Sequence, residues 1–219
     1  MKRPRGPCAA GLALAGGRSS RFGAEKAVAR LGDRPLLAWS LATLDGVCAM
    51  VAVSAAAGGE AATLAVSLGR PVVSDDPAHA KGPLAGVAAG LVWAAAGGFE
   101  ALVTLPCDTP LVGAVQIEAL IAALGDAAAA YAVTPDGPQA LCAVWRTCLA
   151  GDLAGALAGG DHPPVRDFLV RVGAVAVPFP DSRPFANVNR PEDLARLAAA
   201  LAQSPAEADP GAGPATQGR

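Results

Sequence analysis

The segment Leu14 to Lys26 reads LAGGRSSRFGAEK, and it gathers the groups best suited to hold phosphate. Gly16 and Gly17 let the backbone approach a phosphate and present N–H groups to it. Arg18, Arg21 and Lys26 add positive charge, while Ser19 and Ser20 add small hydrogen-bond donors. Far along the chain, Asp108 follows Pro106-Cys107. Mg²⁺ commonly takes one or two carboxylates together with substrate phosphates and waters, so Asp108 is a candidate metal ligand. Each feature also has a plainer reading. The loop could carry only surface cations, and Asp108-Thr109-Pro110 is a good turn ahead of a helix, since Asp favours such positions.

The flanking elements decide where these groups sit. Gly11 to Ala15 is a short apolar run of the kind found in strands buried on both faces. Leu37, Leu41 and Leu44 recur at helical spacing, Met50 to Val53 reads as a strand, Ala61 to Leu68 as a helix, and Pro71 to Val73 as a strand. Gly82-Pro83 opens a helix marked by Leu84, Val87 and Leu91, because proline is tolerated in a first turn whose N–H groups are spare. Ala101 to Leu105 is the next apolar strand, and Ile117, Leu120, Ile121 and Leu124 mark a helix. This alternation predicts a parallel, doubly wound sheet. Ligands of such sheets bind beyond the carboxyl ends of strands, where both the glycine loop and Asp108 would stand. In the second half, Ala129 to Thr134 and Leu141 to Trp145 flank Pro135-Asp136-Gly137 and predict an antiparallel hairpin. Helices around Leu153 and Phe168, a strand from Ala174 to Phe179, and a closing helix through Leu194, Leu197 and Leu201 complete the expected domain over residues 8–203. Residues 204–219 hold almost no large apolar side chain and read as a disordered tail.

The loop is neither of two familiar phosphate motifs. A P-loop has four residues between its glycines and then Lys and Ser or Thr at once; here five separate Gly17 from Gly23, and Ala24-Glu25 precede Lys26. Nor is it G-x-G-x-x-G. Instead, LAGGRSSRFGAEK followed by LGDRPLLAW resembles the signature of the molybdenum cofactor guanylyltransferases. The likeness extends to GPLAG at Gly82 to Gly86, LPCDTPLV at Leu105 to Val112, and NVNRPEDL at Asn187 to Leu194. All four blocks stand in the family's order, across roughly residues 10 to 200.

The resemblance implies a three-layer α/β/α fold with a mostly parallel, Rossmann-like sheet. It implies transfer of GMP from GTP to a molybdopterin-type cofactor, with Mg²⁺ on Asp108. It assigns nucleotide contacts to Leu14, Ala15, Gly16, Gly17, Lys26, Ser54, Asp75 and Asp108, and catalytic roles to Lys26, Asp108 and Arg21. Gly82, Pro83, Leu84, Asn187 and Asn189 would line the site. Ser54 departs from an Asn in a related sequence, and Asp76 competes with Asp75 for its role. Asn189, with Glu192 three residues on, also reads as a helix capping box. Gln139, Arg166 and Trp145 fall in the half expected to meet the second substrate, Trp145 as a stacking surface. A surface Arg and a core Trp are equally good readings. Two other enzyme classes share the scaffold, cytidylyltransferases for the same cofactor and sugar-1-phosphate nucleotidyltransferases; Glu25 before Lys26 counts against the latter. A nucleotide-binding module without catalysis would have lost Lys26 or Asp108.

Composition narrows the classes further. Hydrophobic residues make up 53% of the 219, enough for a core, and the formal charge of −2 offers no basic face for nucleic acid. No apolar stretch reads as a membrane span. Five scattered cysteines without a Cys-x-x-Cys pair, and only two histidines, argue against structural zinc and for reduced thiols in a cytoplasmic protein. Molybdoenzyme-maturation proteins are the expected macromolecular partners.

Overall fold

The computed structural model describes residues 8–16, 25–75, 82–158 and 162–203. The expected tail, the basic start of the chain, Gly17, Arg21 and Asp76 lie outside the described residues.

In chain order the strands and helices are β1 (Ala9–Leu14), β2 (Arg30–Leu31), β3 (Arg34–Pro35), α1 (Leu36–Asp45), β4 (Met50–Ser54), α2 (Glu60–Ser67), β5 (Val72–Val73), α3 (Pro83–Ala96), β6 (Ala101–Pro106), α4 (Ala114–Leu124), β7 (Ala129–Thr134), β8 (Gly137–Arg146), α5 (Ala150–Leu157), α6 (Val165–Arg171), β9 (Val175–Pro178) and α7 (Pro191–Gln203). The main sheet has seven strands in the order β5-β4-β1-β6-β8-β7-β9. β5, β4, β1 and β6 run parallel; β8 is antiparallel to β6 and β7, and β9 is parallel to β7. The sheet is therefore mostly parallel, with the expected hairpin in the second half. Its turn places Gly137 at φ +117°, a conformation that side chains resist.

The strands alternate between two cores. Ala9 and Ala13 of β1 face Leu37, Leu41 and Leu44 of α1, the alanines of α2, and Ile117 and Leu120 of α4. Ala10 and Leu12 face Leu84, Val87 and Leu91 of α3, with Leu153 of α5 and Phe168 of α6 beyond. Helices thus cover both faces, as an apolar parallel sheet requires. Gly90 lets α3 settle on the sheet, since a Cβ there would fall on the Leu12 side chain and lie 3.0 Å from Leu102 Cδ2. The small antiparallel ribbon β2–β3 has no counterpart among the strands expected from the sequence. Its Leu31, with Leu36 and Val188, receives Leu194, Leu197 and Leu201 of α7. The closing helix is thereby tied to the segment just after Lys26. No helix among the described residues is long and apolar enough to cross a membrane.

Candidate active site

β4 and β5 lie on one side of β1, and β6 on the other. The chain therefore reverses its order of winding between β1 and β6, the place where sheets of this kind bind ligands beyond their carboxyl ends. Backbone bonds fix this edge. Cys107 N donates to Leu14 O (3.0 Å), and Ala15 N donates to Ser54 O (2.9 Å). Pro106 O, at the end of β6, accepts from Ser40 Oγ (3.2 Å) and Thr109 Oγ1 (3.0 Å). Among the described residues beyond its chain neighbours, none lies within 4 Å of where a Cβ on Gly16 would stand. That is room a ligand can use.

Lys26 opens a short 3-10 turn, Lys26–Val28. Its Nζ donates to Asp108 Oδ2 at 3.0 Å and to Asn189 Oδ1 at 3.1 Å. The side chains of Lys26 and Asp108 are 15% and 27% exposed, so this pair is only partly screened by water. Three of the four sequence blocks meet at one ammonium. The fourth block stands beside Ser54 and Asp75: a Cβ on Gly86 would lie 2.7 Å from Ser54 Oγ and 3.5 Å from Asp75 Oδ1. Glycine in GPLAG therefore keeps α3 close to the ends of β4 and β5. Partial desolvation raises the Asp75 carboxyl from its ordinary value.

Asn189 reaches Lys26 because its own cap is made by another residue. Asp193 Oδ2 accepts from the backbone N–H groups of Asn189 and Arg190, both at 2.9 Å. The sequence pattern points to Glu192 instead. The helix begins at Pro191, which makes Asp193 its third residue, the place from which a carboxylate reaches back. The Asn189 amide is left to the site. Between the two asparagines Val188 is fully buried, and its N–H donates to Asp108 O at 2.8 Å. Asn187 and Asn189 themselves are exposed.

Other positions divide by burial. Gly82 is half-buried and Pro83 exposed, whereas Leu84 packs into the core beneath α3. Trp145 is fully buried and donates through Nε1 to Thr104 Oγ1 at 2.9 Å, so it has no free face for a ligand and belongs to the core. Gln139 is half-buried with Nε2 3.5 Å from Thr134 Oγ1, and Arg166 is exposed. His162, to which no sequence motif assigns a role, packs on Gly82, with Nδ1 3.1 Å from where a Cβ would stand. No local pattern marks a contact between segments so far apart. Cys107 adjoins Asp108, but burial first, and then the Asp108 charge, push its thiol to about 12. Burial likewise raises Cys142 to about 12. Neither thiol is a nucleophile at neutral pH.

The pattern of the MobA-like NTP transferase domain matches residues 11–175. The chain belongs to this family. The molybdenum cofactor guanylyltransferase of Cereibacter sphaeroides is 44% identical to it over 192 residues, which cover 87% of this chain and 96% of that one. The molybdenum cofactor guanylyltransferase of Acidiphilium cryptum (strain JF-5) is 40% identical over 196 residues, covering 89% and 96%. Among solved structures, molybdopterin-guanine dinucleotide biosynthesis protein A from Archaeoglobus fulgidus shares the fold at a TM-score of 0.72 and 22% identity, covering 89% of this chain and 99% of that one. The 2-C-methyl-D-erythritol 4-phosphate cytidylyltransferase of Thermus thermophilus shares it at 0.65 and 20%, covering 88% and 98%. The protein is accordingly a nucleotidyltransferase of the MobA-like type.

The donor set at Asp108 fits a hard cation of modest protein demand. Among the described residues no group of three or more His, Cys, Asp or Glu side chains gathers to hold a metal. A lone carboxylate at the carboxyl edge of the sheet suits Mg²⁺, which commonly takes one or two protein carboxylates and otherwise substrate oxygens and waters. It does not suit zinc, which needs three or four protein ligands.

Proposed function

We propose that the protein transfers GMP from GTP to a molybdopterin-type cofactor, releasing pyrophosphate and forming the guanine dinucleotide cofactor. The observation that carries the reading is the junction of Lys26, Asp108 and Asn189 at the point where the sheet reverses its winding. The family and the names of its relatives support the choice of substrates.

A terminal phosphate oxygen of the pterin attacks the α-phosphorus of GTP in line. The bond from that phosphorus to the bridging oxygen of the β-phosphate breaks, and pyrophosphate departs with the electron pair. The nucleophile is already ionised, so no general base is needed. Catalysis is then positioning and charge stabilisation. Lys26 pairs with Asp108, and its ammonium has protons left for the phosphate oxygens of the triphosphate. The backbone of Leu14, Ala15, Gly16 and Gly17 lines the phosphates, and Arg21 assists the leaving pyrophosphate. Asp108 would hold Mg²⁺, which would supply positive charge against the phosphates. Ser54 and Asp75, beside Gly86, face the nucleoside, and Gly82, Pro83, Asn187 and Asn189 shape the surrounding wall, with Leu84 supporting it from the core. Molybdoenzyme-maturation proteins would receive the product, in the cytoplasm.

Calorimetric titration with GTP, CTP and ATP, each with and without Mg²⁺, tests the reading. Selective, Mg²⁺-dependent GTP binding is expected. Selective CTP binding would reassign the product, and a folded protein that binds no nucleotide would overturn the reading.

A further inference from the structure

The turn that carries Lys26 is anchored from an unexpected place. Glu25 Oε2 accepts the backbone N–H of Ala61 at 2.6 Å. Ala61 is the second residue of α2, and its N–H is one of the orphan donors that a local N-cap side chain ordinarily satisfies. Here the N-cap is Gly59, which has no side chain to offer. Gly59 stands at φ −73°, so its backbone does not require glycine. Its surroundings favour glycine all the same, because a Cβ there would displace the Glu25 carboxylate. Two independent features thus converge: the helix lacks its own cap, and the space for one is filled by Glu25. A carboxylate is also the favoured charge at the start of a helix. Glu25 N lies 3.4 Å from Glu60 Oε2, and Glu25 O accepts from Val28 N at 3.1 Å, closing the turn over Lys26.

We infer that Glu25 is a positioning residue: by capping α2 from a distance it fixes the turn from which the Lys26 ammonium reaches Asp108. The inference rests on the proposed role of Lys26 in holding the triphosphate. Within the turn itself Ala27 is the one buried residue, packed into the core, so its neighbour Lys26 depends on how the turn is held at Glu25. An error of an ångström at the Lys26 backbone is carried to its ammonium, and misplacement of that size costs catalysis heavily.

The test compares steady-state transfer by the wild-type protein with that by Lys26→Ala, Glu25→Ala, Glu25→Gln, Gly59→Ala and Ala65→Gly, alongside their melting temperatures. Ala65 is buried within α2 and its replacement weakens the same helix without touching Glu25. Glu25→Ala is expected to lose at least about tenfold in kcat/KM for the nucleotide, since alignment and not binding chemistry is removed. Glu25→Gln keeps an acceptor oxygen and should stay within about threefold of wild type, having lost only the charge assistance. Gly59→Ala evicts the carboxylate and should match Glu25→Ala, and the double variant should be no worse than either alone. Ala65→Gly should melt lower yet keep kcat/KM. Full activity of Glu25→Ala, or an equal loss in Ala65→Gly, would overturn the inference while leaving the transferase reading intact. Full activity of Lys26→Ala would overturn both. Should Glu25→Ala fail to fold, Gly59→Ala and Glu25→Gln give the same comparison.

Discussion

Two polar junctions lie close together along one strand. Inside β6, Thr104 is fully buried; its hydroxyl accepts from Trp145 Nε1 and donates to Leu141 O at 2.7 Å. Just beyond the strand, Asp108 meets Lys26, and that ammonium also meets Asn189. The interior junction is closed: each donor and acceptor is answered by the protein, and water is excluded. The edge junction is open, for its carboxylate and ammonium remain partly exposed and have lone pairs and protons left over. A buried, satisfied pair specifies packing. A partly exposed pair of opposite charges can exchange its partners for phosphate and metal. The polar residues of this strand and of the turn after it therefore differ in what they remain free to bind, and burial sets that difference, not residue type.

Truncating each junction should separate the two roles. Trp145→Ala removes a fully buried aromatic and its hydrogen bond, and should cost about 3–5 kcal/mol of stability by denaturant unfolding. Any protein that remains folded should keep its KM for nucleotide. A changed KM at preserved stability would return Trp145 to the substrate site. Asp108→Ala is the converse. It should lower kcat about 10²–10³-fold, the scale of losing one transition-state charge stabiliser, and barely move the melting temperature. A large drop in melting temperature would mean that the Lys26 pair is structural. Thr104→Val leaves the Trp145 N–H buried and unpaired, and should cost about 1–3 kcal/mol with no effect on turnover.

The smallest effect concerns Asp193. Hydrogen bonds from the Asn189 and Arg190 backbone, aided by Arg196, hold its carboxyl below the ordinary carboxylate range. A depressed folded-state pKa means that its contribution is present above the ordinary Asp pKa of about 3.9 and is lost as pH falls through the lower folded value. Asp193→Asn should therefore melt slightly below wild type near neutral pH, and the gap should close in strongly acidic buffer. A gap that persists there would mean that the carboxylate charge is not what holds the Asn189 segment.

Much of this architecture is legible in the sequence, because buried parallel strands are apolar runs with little else to explain them. β1, β4 and β6, and the helices that follow the leucine spacing, need only periodicity. β2 and β3 escape notice because two residues carry no period. Asp108 is recognisable by its block, yet its partners are not, since Lys26 lies 82 residues from Asp108 and 163 from Asn189 along the chain. The cap of α7 is misplaced by one residue in the sequence pattern, because neighbouring acids, Glu192 and Asp193, fit equally well until the helix start is known. The Glu25 cap has no local sign at all. Gly59 is its only trace, and a glycine before a helix has many ordinary explanations.

Nucleotidyl transfer differs from other phosphate chemistry in which phosphate of GTP is kept. The direct measurement incubates the protein with Mg²⁺, molybdopterin and GTP labelled at either the α- or the γ-phosphorus, and then separates the pterin product from pyrophosphate. Label from the α-position should appear in the pterin dinucleotide, label from the γ-position in pyrophosphate, and both products should form about 10²–10³-fold more slowly in Asp108→Ala. Transfer of γ-label to the pterin, or release of inorganic phosphate without a dinucleotide, would contradict nucleotidyl transfer at this site.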